Sequence, residues 1–149
     1  MTNNEKRNKY ANLMSKLNKA TNNEYYYEAI FVEYAILEDR TSSLLKHAKI
    51  KNEDIKTHRE YSVAQKLRII KKNKKFSNDL YIKKHITDEL IDNLFAWKTK
   101  RNDLIHDLVI APYDNEDVKN IALEGECLIK RLNNKSKLVN NHLDSIFEK

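Results

Sequence analysis

The chain has little of what bends a backbone. Its 149 residues include one glycine and one proline. Sandwiches, barrels and doubly wound sheets use both residues at many turns. Phosphate-cradling loops gather several glycines in one place. Composition excludes all of these, and an all-α bundle remains, with Asn, Asp, Ser and Lys making its connections. Cysteine is as scarce: Cys127 has no second cysteine for a disulfide or a zinc knuckle. It falls beside Ala122, Leu123 and Leu128 in an amphipathic stretch, so a core thiol is expected. Long apolar runs are missing too. Ala29 to Leu37 is the most apolar stretch, and Glu33 interrupts it well short of a membrane span. No apolar signal-peptide core follows Met1–Arg7. A single cytoplasmic helical domain over residues 1–149, with no membrane partner, is the expectation.

What the chain does have is charge and helical periodicity. Charged residues make up 34%, the net charge is +6 and the mean hydropathy is −0.78. A basic chain suits a nucleic-acid partner, and it equally suits solvated helix faces rich in lysine and asparagine. Most of the positive charge is lysine, which singles out Arg7, Arg40, Arg59, Arg68, Arg101 and Arg131.

Apolar spacing predicts a first helix over 5–20, with Tyr10, Leu13, Met14 and Leu17 on one side and a break at Thr21-Asn22-Asn23. A second helix over 25–49 carries the stripe Ile30, Tyr34, Leu37, Thr41, Leu44 and Ala48. Asn52 reads as an N-cap ahead of Glu53 and Asp54, opening a helix to Lys72 through Ile55, Val63, Leu67 and Ile70. A basic connection follows, with a helical turn near Leu80–Ile82. Thr87 caps a helix to Leu108. Beyond Pro112, Asp114 or Asn115 caps a last helix to Phe147, with Gly125 inside it. The expected architecture is an antiparallel bundle of four to five helices.

One helix breaks its own pattern. Leu90, Leu94, Trp97, Arg101, Leu104 and Leu108 alternate in steps of four and three, which sets an arginine in an apolar seam. Burying that charge unpaired costs several kcal/mol. An acidic partner inside the bundle, a second subunit or a ligand must answer it. Asn102 and His106 are one turn apart beside the seam, on the side of Ile91, Phe95 and Val109. Arg101 and His106 lie roughly 140° apart around the axis and flank one groove.

The segment Arg101-Asn102-Asp103-Leu104-Ile105-His106 resembles the Arg-x4–6-His motif of the HEPN superfamily, in the form with Asn after Arg. The resemblance implies a HEPN-like bundle that dimerises face to face, so that two motifs line one cleft. It also implies a metal-independent endoribonuclease of the toxin or phage-defence type. RNA would be the substrate, and an antitoxin protein a further partner. Arg101, Asn102 and His106 would be the catalytic residues. The alternative is a non-catalytic HEPN-like module that binds RNA or a partner protein.

The chemistry suits these residue types. Attack of the RNA 2′-hydroxyl on the adjacent phosphorus needs a base, an acid and positive charge on the phosphoryl oxygens. Imidazole carries protons near neutrality, and guanidinium offers a planar fork to phosphate. Asn102 would orient His106 or bind a phosphoryl oxygen.

Arg40 and His47 match the same pattern, and Glu33, Arg40 and His47 repeat every seven residues. They read as a charge network at the bundle edge. The other reading pairs Glu33 or Glu38 with Arg101 and gives Arg40 a phosphate contact. Lys98, Lys100, Lys71, Lys72, Lys74 and Lys75 would extend a cationic track for RNA, as would Lys83 and Lys84, with Phe76 and Tyr81 for stacking. No metal and no cofactor are expected: no His-Glu-x-x-His pattern occurs, and no Gly-x-Ser-x-Gly elbow.

Overall fold

The computed structural model describes residues 2–47, 61–74, 80–110 and 114–147, with backbone alone at 46–47, 80–81 and 143–147. Six helices and no strand occur among the described residues: α1 (Asn3–Asn22), α2 (Tyr26–His47), α3 (Val63–Asn73), α4 (Leu80–His85), α5 (Asp88–Asp107) and α6 (Asn115–Phe147). The fold is all-α, as composition requires.

Capping chemistry sets most of the boundaries. Thr2 and Glu5 form a capping box at α1. The Thr87 hydroxyl accepts the Leu90 amide at α5, and Asp114 accepts the Asp117 amide at 2.8 Å ahead of α6. The α1–α2 turn shows how the chain manages without glycine. Glu24 takes the left-handed conformation (φ 62°). The amides of Glu24 and Tyr25 reach back to the carbonyls of Thr21 and Ala20, the hydrogen-bond pattern of a Schellman motif.

One expected helix is cut short. α3 does not run continuously from Asn52, because Ser62 is extended and caps it in a box with Gln65. That Ser-x-x-Gln signal stands in the sequence, and the apolar periodicity on either side of it obscures it. Asn52 itself lies outside the described residues, as does Pro112. α4 extends the expected turn to Leu80–His85.

The bundle is not uniformly antiparallel. Arg40 of α2 bonds to Asn133 of α6, and Glu33 of α2 lies against Gly125 of α6. Residue numbers rise together along both helices, so α2 and α6 run parallel. α1 runs antiparallel to α2, with Tyr10 against Arg40 near one end and the short turn at the other. α5 runs antiparallel to α6, with Trp97 bonded to the Ile121 carbonyl and Glu89 paired with Arg131. α3 is antiparallel to α5 through Lys71–Asp92 and Lys74–Asp88. α6, about 50 Å long at 1.5 Å per residue, is the spine against which α2, α4 and α5 pack.

Leu17, Ile30, Ile36, Leu37, Leu90, Leu94, Trp97, Leu104 and Ile129 are fully buried in the core. Cys127 is exposed, against the expected core thiol: α6 buries Leu128 and Ile129 beside it instead.

Gly125 has a packing role. A Cβ at this position would lie 2.5 Å from a Glu33 carboxyl oxygen and 2.7 Å from two ring atoms of Trp97. The Trp97 ring is buried and tethered by its Nε1–H, so it has no room to yield. Overpacking costs about 1–3 kcal/mol, and the better helix propensity of alanine returns about 1 kcal/mol or less. Gly125→Ala is expected to lower stability in urea unfolding, although an exposed Gly→Ala change within a helix would raise it.

Candidate functional site

The site is built on the last two turns of α5. Arg101 follows Trp97 by one turn on the same seam. Its guanidinium stacks on the Tyr34 ring of α2 at 3.8 Å from the ring centre. Its Nη1–H donates to the Asn102 carboxamide oxygen at 3.1 Å. Its Nε is buried without a hydrogen-bond partner. Arg101 and Asn102 are half-buried, while His106, one turn beyond Asn102, is exposed.

The seam arginine is therefore answered by an aromatic face and a carboxamide. No carboxylate pairs with it among the described residues. Cation–π stacking on a partly desolvated ring is worth about 0.5–2 kcal/mol, and it leaves the fork of the guanidinium unneutralised. Tyr34 is the residue that sequence reasoning missed. It stood in the α2 stripe as packing, and only the packing of both α2 and α5 against α6 brings it beneath Arg101. Burial raises the Tyr34 phenol above its ordinary value, and Glu38 adds to this while Arg101 opposes it.

The expected acid partners are placed otherwise. Glu33 is wholly buried at the Gly125–Trp97 contact, and neither of its carboxyl oxygens has a hydrogen-bond partner. Burial, with Glu126 adding to it, pushes its carboxyl up to about 9, so Glu33 is neutral at physiological pH. It is no counter-ion for Arg101. Burial works to raise Glu126 as well, but the hydrogen bond and charge of Lys130 outweigh it and hold that carboxyl below its ordinary value. Glu38 is exposed and forms no ion pair with Arg101. Arg40 is buried, stacked on Tyr10 and bonded to Asn133, so it offers no surface phosphate contact. The side chain of His47 lies outside the described residues.

The lysines also sort themselves. Lys71 pairs with Asp92 at 2.7 Å, Lys100 with Glu124 at 2.9 Å, and Lys74 with Asp88 at 2.7 Å. Lys74 also bonds the Ile86 carbonyl. These three have local acidic partners and do not form a free cationic track. Lys72 is exposed. Lys98, one turn before Asn102, stands 4.4 Å over the Phe95 ring, which also meets Arg68 at 5.2 Å. Lys75 and Phe76 lie outside the described residues, and so does the side chain of Tyr81. Leu108 and Val109, expected on the seam and beside it, are exposed beyond the end of α5, and so is Ile110. Among the described residues no group of three His, Cys, Asp or Glu side chains is arranged to hold a metal ion. No helix among the described residues is long and apolar enough to cross a membrane.

Compared with family models, curated proteins and solved structures, the chain matches none. The functional reading rests on the residues themselves.

The buried Glu33 makes stability depend on pH. Its carboxyl titrates near 4.5 when unfolded and at about 9 when folded. The unfolded chain loses this proton first, so stability falls as pH rises between those values, by about 1.4 kcal/mol per pH unit. Glu33→Gln removes the titration. Its melting temperature relative to wild type is expected to climb steadily from pH 5 to pH 8. A constant difference over that range would show Glu33 to be ionised in the folded protein.

Proposed function

We propose that the chain is a metal-independent endoribonuclease of the HEPN type, with a composite site where two copies meet. The observation that carries this reading is Arg101. It is a guanidinium set in an apolar seam, held by Tyr34 and Asn102 and unmatched by any acid among the described residues. Held in this way, it suits the phosphoryl oxygens of a scissile phosphate, with the exposed His106 one turn beyond Asn102 as proton carrier.

In the proposed reaction the RNA 2′-oxygen bonds to phosphorus and the bond from phosphorus to the 5′-oxygen breaks. One imidazole takes the 2′-hydroxyl proton, and the departing 5′-oxygen is protonated by an acid. The products carry 2′,3′-cyclic phosphate and 5′-hydroxyl ends. One protomer has one His106, and a second copy supplies the other proton carrier. Exposed apolar side chains support the pairing. Tyr27 and Phe31 of α2 and Leu108, Val109 and Ile110 after α5 fall at the end of the bundle where Arg101 sits. Such a ribonuclease is toxic to its own cell when unrestrained. A toxin or phage-defence role in the cytoplasm, with a silencing antitoxin protein, follows from the reading.

Mixed RNA incubated with the purified protein in EDTA tests it. The wild type is expected to cleave. Arg101→Ala and His106→Ala are each expected to lose at least ~100-fold in rate, the scale of losing a general acid–base group or an oxyanion contact. Tight binding of RNA without cleavage by the wild type would move the assignment to a non-catalytic RNA-binding module.

A further inference from the structure

A second cluster lies away from the Arg101 corner, where α1, α2 and α6 meet. Arg40 Nη2 donates to Asn133 Oδ1 across the parallel α2–α6 contact at 2.7 Å. Ser43 follows Arg40 on α2, and Ser136 follows Asn133 on α6, each by one turn, and both are buried. α1 lays the Tyr10 ring 3.6 Å from the Arg40 guanidinium. Tyr10 and Arg40 are 5% exposed, Ser43 6% and Ser136 0%. Each has a donor atom without a hydrogen-bond partner: Tyr10 Oη, Arg40 Nε, Ser43 Oγ and Ser136 Oγ.

This accumulation is physically unusual. Buried polar groups almost always find partners, and several orphans in one place call for a water or an ion. Glu33 avoids burying a charge by keeping its proton, whereas a guanidinium stays charged. Burial works to lower the Arg40 pKa, opposed by the charge of Asp39. Asp39 is exposed, and no carboxylate among the described residues pairs with Arg40. The cluster thus combines one positive charge with hydroxyls free to turn as donors.

We propose that Arg40, Tyr10, Ser43 and Ser136 form a buried binding site for a small inorganic monoanion of the chloride class. A monoanion matches the single charge, while a dianion would leave net negative charge among apolar helices. Water alone would satisfy hydroxyls without countering the guanidinium. Asn140, one turn beyond Ser136, also carries an unpartnered carboxamide oxygen. Its amide oxygen and nitrogen are interchangeable by assignment, so the NH2 group is available to an anion. The site is independent of RNA cleavage and pins α1 to the parallel α2–α6 pair.

Two measurements on the full chain test the site. Thermal melts at fixed ionic strength, with sodium gluconate exchanged for sodium bromide, read binding. Crystals soaked in bromide locate it by anomalous scattering. The expected results are a saturable rise in Tm and a bromide peak within hydrogen-bonding reach of Arg40 Nε. The double variant Tyr10→Phe/Ser136→Ala keeps the ring stack and should need at least tenfold more bromide for half the effect. Ser43→Ala provides the same comparison if the double variant does not fold. An equal rise in wild type and variants would assign the effect to the basic surface and overturn the site. So would a water rather than bromide at Arg40, or no bromide-specific rise in the wild type.

Discussion

The structure depends on the close approach of three helices at Gly125. The missing side chain lets α5 bring the Trp97 ring, and α2 the Glu33 carboxyl, against the backbone of α6. Trp97 then bonds the Ile121 carbonyl at 2.9 Å, which fixes the rotation and height of α5. With Trp97 locked, Arg101 must fall one turn further along the same seam, against Tyr34. Asn102 and His106 follow on the adjoining face. A chain with one glycine has used it where it sets the geometry of the candidate site.

The same interior accepts polar groups that most cores exclude, in two ways. Glu33 sheds its charge, because desolvation beside Glu126 outweighs the ordinary acidity of a carboxyl. Arg40 cannot shed its charge, so it stacks on Tyr10 and bonds Asn133. Arg101 shares the aromatic device of Arg40 with one difference that matters. It sits half-buried at the end of the bundle, where a phosphate can reach it, whereas Arg40 is closed in by α1. Two arginines with similar local partners therefore have different prospects, and burial decides between them.

The helical class was legible because composition leaves no other. The strongest helices were legible from periodicity, and Thr87 and Asp114 from capping chemistry. Arg101 was legible as an anomaly, since a charge on an apolar seam contradicts its surroundings whatever the fold. Its partner was not. Glu33 and Glu38 were the natural candidates by charge, and the answer was Tyr34, which looks like ordinary packing until the placement of α2 and α5 against α6 is known. The register of α2 on α6 was hidden for the same reason: a parallel pairing of helices far apart in sequence leaves no local signal. The acidic partners of Lys71, Lys100 and Lys74 were hidden too, because Asp92, Glu124 and Asp88 lie on neighbouring turns only in the folded chain. The Ser62 break was readable from its capping box and was masked by apolar spacing that runs through it.

The central claim is that Arg101 and His106 cleave RNA through its own 2′-hydroxyl. The chemical ends of the fragments made in EDTA test it most directly, read by mass spectrometry. The account predicts 2′,3′-cyclic phosphate on the upstream fragment and a 5′-hydroxyl on the downstream one. Fragments ending in 3′-hydroxyl and 5′-phosphate, or RNA left whole, would contradict it.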